Sequence, residues 1–260
     1  MGSLDPDFSD DTVVVTGGSS GIGRAIALAF GEAGATVLNA DVRVDPKDTD
    51  LETPTHETIR ENGGTASYIE CDVSDPDQLE VLIEAAREFG GVSVMINNAG
   101  FYTKRRFREV TPEEFERVHG VNARGAFFGT QLAANDMIER GDPGVVINTA
   151  SDTQGRASWD HSHYAASKGA IRMITRSAAL ELAGDGVRVN AVAPGPIATE
   201  IRTGWKEEAR EMEPTGETPD LPLYAGVPGD LPGAYLYLAS EEASYVTGET
   251  VWVDGGGHVC

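Results

Sequence analysis

Thr12-Val-Val-Val-Thr16-Gly17-Gly18-Ser19-Ser20-Gly21-Ile22-Gly23-Arg24-Ala-Ile-Ala-Leu-Ala-Phe30 is the stretch that decides the fold of this chain. Three consecutive valines between threonines make a short β-branched run, which reads as a strand buried on both faces. The glycine-rich turn after it opens an apolar helical pattern, and Gly34 is a natural stop for that helix. Strand, glycine turn and helix in this order are the context a dinucleotide-binding loop requires. Glycines let the backbone approach a pyrophosphate, and a helix N-terminus favours its negative charge. The spacing is Gly-x-x-x-Gly-x-Gly, not Gly-x-Gly-x-x-Gly, and such a loop alone is weak evidence.

Further along, strand and helix patterns alternate. Residues 36–40 form a second strand with Asp41 at its end, 18 residues after Gly23. A carboxylate there can accept hydrogen bonds from the adenosine ribose hydroxyls and repels a 2′-phosphate, which favours NAD over NADP. Arg43, two residues on, leaves NADP use open. Residues 44–54 are polar with two prolines and read as a surface loop. Residues 65–71 form a third strand leading to Asp72 and Val73, and Ser74 or Asp75 can cap a helix over 78–89. Residues 92–97 form a fourth strand running into Asn98-Ala99-Gly100, and residues 144–150 a fifth that delivers Ser151 at its carboxyl end. Residues 186–192 and 249–253 supply two more. The pattern predicts an α/β fold, a doubly wound parallel sheet of about seven strands with helices on both faces. In such sheets the ligand crevice lies at the carboxyl edge.

Thr111-Pro112-Glu113-Glu114 is a strong helix start, and that helix is expected to carry Asn122, which must be hydrogen-bonded if buried. A later helix carries Tyr164-Ala-Ala-Ser-Lys168 and is expected to run to about Ala183. Residues four apart share a helix face, so phenol and ammonium point the same way. A tyrosine with a pKa near ~10 is a poor proton acceptor at neutral pH; lowering it to about 7 takes roughly 4 kcal/mol. Lys168 and a positively charged cofactor ring together could supply it.

Composition narrows the function. The chain carries 42 acidic and 20 basic residues, a formal net charge of -22. Such a field disfavours nucleic acid and anionic membranes, and no apolar window is long enough to span a bilayer. The acidic residues are spread along the chain, a surface resembling those of salt-adapted, haloarchaeal proteins. The acidic N-terminal extension, residues 1–11, lacks the features of a signal peptide, and Cys71 and Cys260 have no metal or redox spacing, so a cytoplasmic, metal-free protein is expected. Lys104, Arg105, Arg106 and Arg108 reverse the charge locally and could greet an anionic group or make salt links. Residues 200–228 are polar and rich in Pro and Gly, the character of a substrate lid. No repeat or linker divides residues 1–260, which are read as one domain.

The order of these motifs resembles the classical short-chain dehydrogenase/reductase family over nearly the whole chain. It is carried by Thr16–Gly23, Asn97-Asn98-Ala99-Gly100, Asn122, Ser151, Tyr164-x-x-x-Lys168, and Pro194-Gly195 with Thr199. The resemblance implies that Tyr164 exchanges a proton with the substrate oxygen while hydride passes to or from nicotinamide. Ser151 would hold that oxygen. Lys168 would bind the nicotinamide ribose and depress the tyrosine pKa, with Asn122 supporting a relay to solvent. Gly17, Ser19, Ser20, Gly21, Ile22 and Gly23 would face the pyrophosphate, Asp41 the ribose, Asp72 and Val73 the adenine. Asn98, Ala99 and Gly100 would follow the middle of the cofactor, and Pro194, Gly195, Ile197 and Thr199 the nicotinamide end. Arg156, Trp159, His161 and His163 are candidate substrate residues.

The function expected is that of an NAD-dependent oxidoreductase acting on a secondary alcohol, sugar or ketone, with a homotetramer, or a dimer, as the assembly. A reductase resembling those for 3-oxoacyl-carrier-protein and a non-catalytic NAD-binding regulator are the alternatives. Against the regulator, serine, tyrosine and lysine are all present.

Overall fold

The computed structural model describes residues 6–202, 204–211 and 225–259. Residues 203 and 212–224 of the expected lid and residues 1–5 of the N-terminal extension lie outside the described residues.

The valine run forms β1 (Thr12–Thr16), all five residues of which are buried. Val13 and Val15 face one hydrophobic cluster and Val14 the other, as the two-residue period of a strand requires. The first cluster packs α1 (Gly21–Glu32), α2 (Thr55–Glu61) and α8 (Pro232–Ala239) on one face through Ile26, Phe30, Ile59, Tyr235 and Leu238. The second packs α3 (Pro76–Arg87), α5 (Gly125–Arg140) and α6 (Ser162–Leu182) on the other through Leu79, Leu82, Met137 and Ala179.

Between them lie β1, β2 (Thr36–Asp41), β3 (Thr65–Glu70), β4 (Val94–Asn97), β5 (Val145–Thr149), β6 (Arg188–Pro194) and β7 (Thr250–Val253). They pair in parallel in the order β3-β2-β1-β4-β5-β6-β7, the doubly wound sheet expected from the sequence. The order reverses between β1 and β4, and a crevice opens there at the carboxyl ends.

Boundaries differ from expectation where local chemistry overrides the apolar pattern. Helix α3 starts at Pro76 because Asp75 caps it, its side chain accepting from Asp77 N at 3.2 Å. Strand β6 starts at Arg188, after Gly186 turns the chain with a φ of +78°, and runs on to Pro194, which pairs with Val253. The helix expected to carry Asn122 is divided. Helix α4 (Pro112–His119), with the Thr111–Glu114 capping box, passes through a π-helical turn at Gly120–Arg124 into α5. A turn of that kind holds one residue more than an α-turn and re-aims the side chains on it. Among the described residues no helix is long and apolar enough to cross a membrane.

Candidate active site

A cleft of about 850 Å³ runs along the carboxyl edge of the sheet. Its floor begins where β1 ends. Thr16 Oγ1 accepts from the backbone N–H groups of Asn98 and Ala99 at 3.0 and 3.1 Å, and Asn98 Nδ2 donates to Thr16 O and Gly17 O. The glycine loop is thus clamped against the end of β4. The clamp leaves no room for side chains. A Cβ on Gly17, which has a φ of +65°, would lie 2.8 Å from Ala99 Cα, and one on Gly23 only 2.1 Å from Gly17 O.

Helix α1 presents its first turn to this loop. Its N-cap Ser20 makes no capping bond, its first turn has no acidic residue, and Gly21, Ile22 and Gly23 line the cleft. The first N–H groups of a helix lack intrahelical partners, so an anionic group fits this end. Asp41, at the end of β2, accepts from Ser19 N at 3.2 Å, and burial raises its carboxyl above the usual range. Arg43, Lys47, Asp72 and Val73 line the same end, while Asn98, Ala99 and Gly100 line the middle. These features fit an adenine dinucleotide. Ser19 is turned away from the cleft. It is fully buried, its hydroxyl donating to Arg43 O and accepting from Asn39 Nδ2, so it shapes the turn that carries Asp41.

Beyond the loop, Ser151, Tyr164 and Lys168 line the deep wall, and Pro194, Gly195, Ile197 and Thr199 close the far side. Lys168 Nζ donates to Thr149 O at 2.8 Å, and burial pushes its pKa down to about 7. The Tyr164 phenol is moved upward by burial, against the Ser151 hydroxyl, which favours the ionised form; Asp152 and Tyr102 add to the rise. Lysine does not offset that rise: its Nζ stands 5.6 Å from the tyrosine ring centroid and is itself turned to Thr149. The expectation that Lys168 depresses the tyrosine is therefore not met by the chain's own groups, because desolvation dominates both side chains.

The Ser151 hydroxyl donates to Asp152 Oδ1 at 2.9 Å and accepts from Thr153 Oγ1 and N at 3.1 and 3.3 Å. Asn122 stands outside the cleft wall, 1% exposed. Its side-chain Nδ2 donates to Phe101 O and Ser167 Oγ, and its Oδ1 accepts from Phe101 N. Ser167 in turn donates to Tyr164 O, so the π-turn of Asn122 braces both the 101–106 loop and α6.

Of the substrate candidates, Arg156, Trp159 and His161 line the cleft and His163 does not. His163 is buried and hydrogen-bonded through Nε2 to Thr103 Oγ1 at 2.7 Å. The basic cluster is split: Lys104 lines the cleft, Arg105 pairs with Glu114, and Arg106 and Arg108 are exposed. Sequence reasoning missed Tyr102, whose ring packs edge-on to Tyr164 at 5.0 Å, and Arg202, which sits over the Trp205 ring. Tyr102 follows Gly100 by two residues, and that position was the one signal available.

A doubly wound parallel sheet with an anion-receptive glycine turn at its switch point defines a Rossmann-type nucleotide-binding protein. The family model described as Enoyl-(Acyl carrier protein) reductase matches residues 17–258. The chain is 40% identical over 253 residues to glucose 1-dehydrogenase 2 of Bacillus subtilis, covering 96% of this chain and 95% of that protein. It is 41% identical over 257 residues to 3beta-hydroxysteroid dehydrogenase 1 of Eggerthella lenta, covering 96% and 94%. A crystal structure of a short-chain type dehydrogenase/reductase from Mycobacterium marinum superposes with a TM-score of 0.87 at 36% identity, covering 98% of this chain and 97% of that one. The chain belongs to the short-chain dehydrogenase/reductase family of oxidoreductases, whose dehydrogenases use nicotinamide cofactors.

Proposed function

We propose that the protein is an NAD-dependent oxidoreductase that removes hydrogen from the CH–OH group of a secondary alcohol or sugar, with Tyr164 as the general acid/base. The observation that carries this reading is the convergence of Ser151, Tyr164 and Lys168 on one wall of the cleft that the glycine loop opens. Pro194, Gly195, Ile197 and Thr199 would hold a nicotinamide facing that wall, and the ring would supply the acceptor for hydride leaving the carbinol carbon. Tyr164 takes the hydroxyl proton, and Ser151 holds the same oxygen. Lys168, with a pKa near 7, can hold or release a proton at neutral pH and so reset the tyrosine. Asn122 serves by holding Phe101 and α6 in place.

NAD is favoured because Asp41 ends β2 at the cleft, and a carboxylate there would accept from ribose hydroxyls and repel a 2′-phosphate. Sugar or alcohol substrates are favoured because the relatives named above are a glucose and a hydroxysteroid dehydrogenase. Helix α7 (Trp205–Arg210) supports the lid reading: Trp205 lines the cleft, and Lys206 bridges Glu200 to Asp48 in the loop after β2. The exposed Phe115, Phe127, Met173 and Leu180 on α4, α5 and α6 give a homotetramer an apolar surface to bury. One catalytic domain, working in a salt-rich cytoplasm, completes the reading.

The test is a screen of sugars, polyols and alcohols with NAD and NADP in molar KCl, followed by NADH or NADPH absorbance. NAD-linked oxidation of at least one class is expected, and no turnover with either cofactor would overturn the proposal. Salt adaptation predicts a Tm that rises from dilute to molar KCl as self-repulsion is screened. A flat response would count against it.

A further inference from the structure

We propose that Asp152 determines specificity in this cleft: its carboxylate accepts a hydrogen bond from a second substrate hydroxyl beside the one oxidised, so the substrate class is vicinal diols, such as sugars and cyclic polyols. This rests on the alcohol-oxidising reading above and narrows it.

Asp152 follows Ser151 directly and opens a short 3-10 turn, Asp152–Gln154, which turns its side chain along the cleft wall. Of the other four cleft carboxylates, Glu116 is exposed and three are supplied from within the chain. Asp41 accepts from a backbone N–H, Asp72 accepts from Ser74 N, and Glu200 pairs with Lys206. Among the described residues Asp152 has no ion pair, although Lys104, Arg156 and Arg202 line the same cleft. Its donor within the chain is the Ser151 hydroxyl. An ionised carboxylate offers about four acceptor positions, so this half-buried group is left with most of them to fill.

The arrangement ties Asp152 to the reacting oxygen. Ser151 Oγ receives Thr153 N and Thr153 Oγ1, which occupy its two lone pairs, and gives its single proton to Asp152. Ser151 can therefore meet the substrate oxygen only as a donor, and only by withdrawing that proton from Asp152. A simple alcohol leaves the carboxylate without its donor. In a vicinal diol the second hydroxyl lies one hydrogen-bond length from the first, about the spacing between Ser151 Oγ and Asp152 Oδ1. It can replace the serine at Asp152 while the serine turns to the reacting oxygen. A substrate carboxylate in that place would meet a like charge.

Tyr164 is faced by Tyr102 and His161 from the neighbouring loops, by Lys168 on its own helix, and by Ser151 and Asp152 from the end of β5. Asp152 is the carboxylate in that set, and its charge disfavours the phenolate. Neutralising it should move the pH dependence of oxidation to lower pH.

The experiment compares wild type, Asp152→Asn and Asp152→Glu with saturating NAD in high salt. Two matched pairs are used: cis- and trans-1,2-cyclohexanediol against cyclohexanol, and glucose against 2-deoxyglucose. In at least one pair the wild type should favour the vicinal diol in kcat/KM by about tenfold or more, the range of a hydrogen bond to a charged group. Asp152→Asn should bring that ratio to within about threefold and shift the pH midpoint of kcat/KM downward. Asp152→Glu, which keeps the charge and misplaces it, should lose the ratio and keep the wild-type midpoint. Equal ratios in wild type and Asp152→Asn, or no preference in either pair, would overturn the proposal while leaving alcohol oxidation standing. Absence of turnover on every alcohol with both cofactors would overturn both.

Discussion

At the glycine-loop end of the cleft, which we propose takes the cofactor phosphates, position is set by backbone: Thr16 receives the N–H groups of Asn98 and Ala99, and Gly17 and Gly23 lie where a Cβ would collide. At the other end, which we propose takes the alcohol, position is set by side chains on loops. Tyr102, Asp152, Trp159 and His161 stand on segments after strand ends, and Trp159 is 91% exposed. Asp160, with a φ of +64°, turns the 155–161 loop so that its carbonyl accepts from Arg105 N and ties that loop to the 101–106 loop. The first end has one solution that its residues permit, whereas the second can be re-aimed by changing a side chain. A chain of this family can therefore hold its cofactor site fixed while its substrate changes.

The largest effect should follow from breaking the phosphate end. Gly23→Ala places a methyl 2.1 Å from Gly17 O and 2.4 Å from Asn98 Nδ2, and neither can retreat without opening the clamp. Loss of about 3 kcal/mol or more and of measurable NAD binding is expected by thermal melting and calorimetric titration. A variant that bound NAD normally would show that the clamp yields.

At the alcohol end, burial of Lys168 gives a pH test. Its folded pKa is near 7, against an ordinary value of 10.5. Between these values the unfolded chain binds a proton that the folded chain does not, so this lysine adds stability as pH rises from 7 to 10. Below about 7 both states carry the proton and the full cost of burying the charge remains. The Tm of the cofactor-free protein should rise by about 2 °C or more from pH 7 to 9, relative to Lys168→Met over the same range. Parallel curves would refute the shift.

A smaller effect belongs to Asp41. Asp41→Ala removes the carboxylate proposed to accept from the ribose hydroxyls and to repel a 2′-phosphate, leaving Arg43 and Lys47 at that end. The ratio of kcat/KM for NAD to that for NADP should fall about tenfold. An unchanged ratio, or a wild type that prefers NADP, would show that Asp41 does not read the cofactor.

The difference between the ends also explains what the sequence made legible. The alternation of strands and helices, the glycine turn, and the places of Asp41 and Ser151 at strand ends and of Tyr164 and Lys168 on one helix could be read because each rests on a local rule of spacing or backbone freedom. The π-turn at Asn122 could not, because nothing in Val121-Asn-Ala-Arg distinguishes it from an unbroken helix. Ser19 could not be told from Ser20: one is buried beneath the turn and the other lines the cleft, and only the tertiary path to Asn39 and Arg43 separates them. The Lys206 contact to Asp48 joins residues 158 apart, and the edge-on packing of Tyr102 against Tyr164 joins a loop to a helix. Such pairings leave no periodic trace.

Tyr164→Phe tests the central claim most directly, because it removes one oxygen and keeps the ring that packs on Tyr102. NAD-linked oxidation and calorimetric NAD binding should be measured on the same preparation. The account predicts a fall in kcat of about 100-fold to 10,000-fold, with the NAD Kd within about threefold of wild type. Turnover retained at the wild-type rate would contradict it.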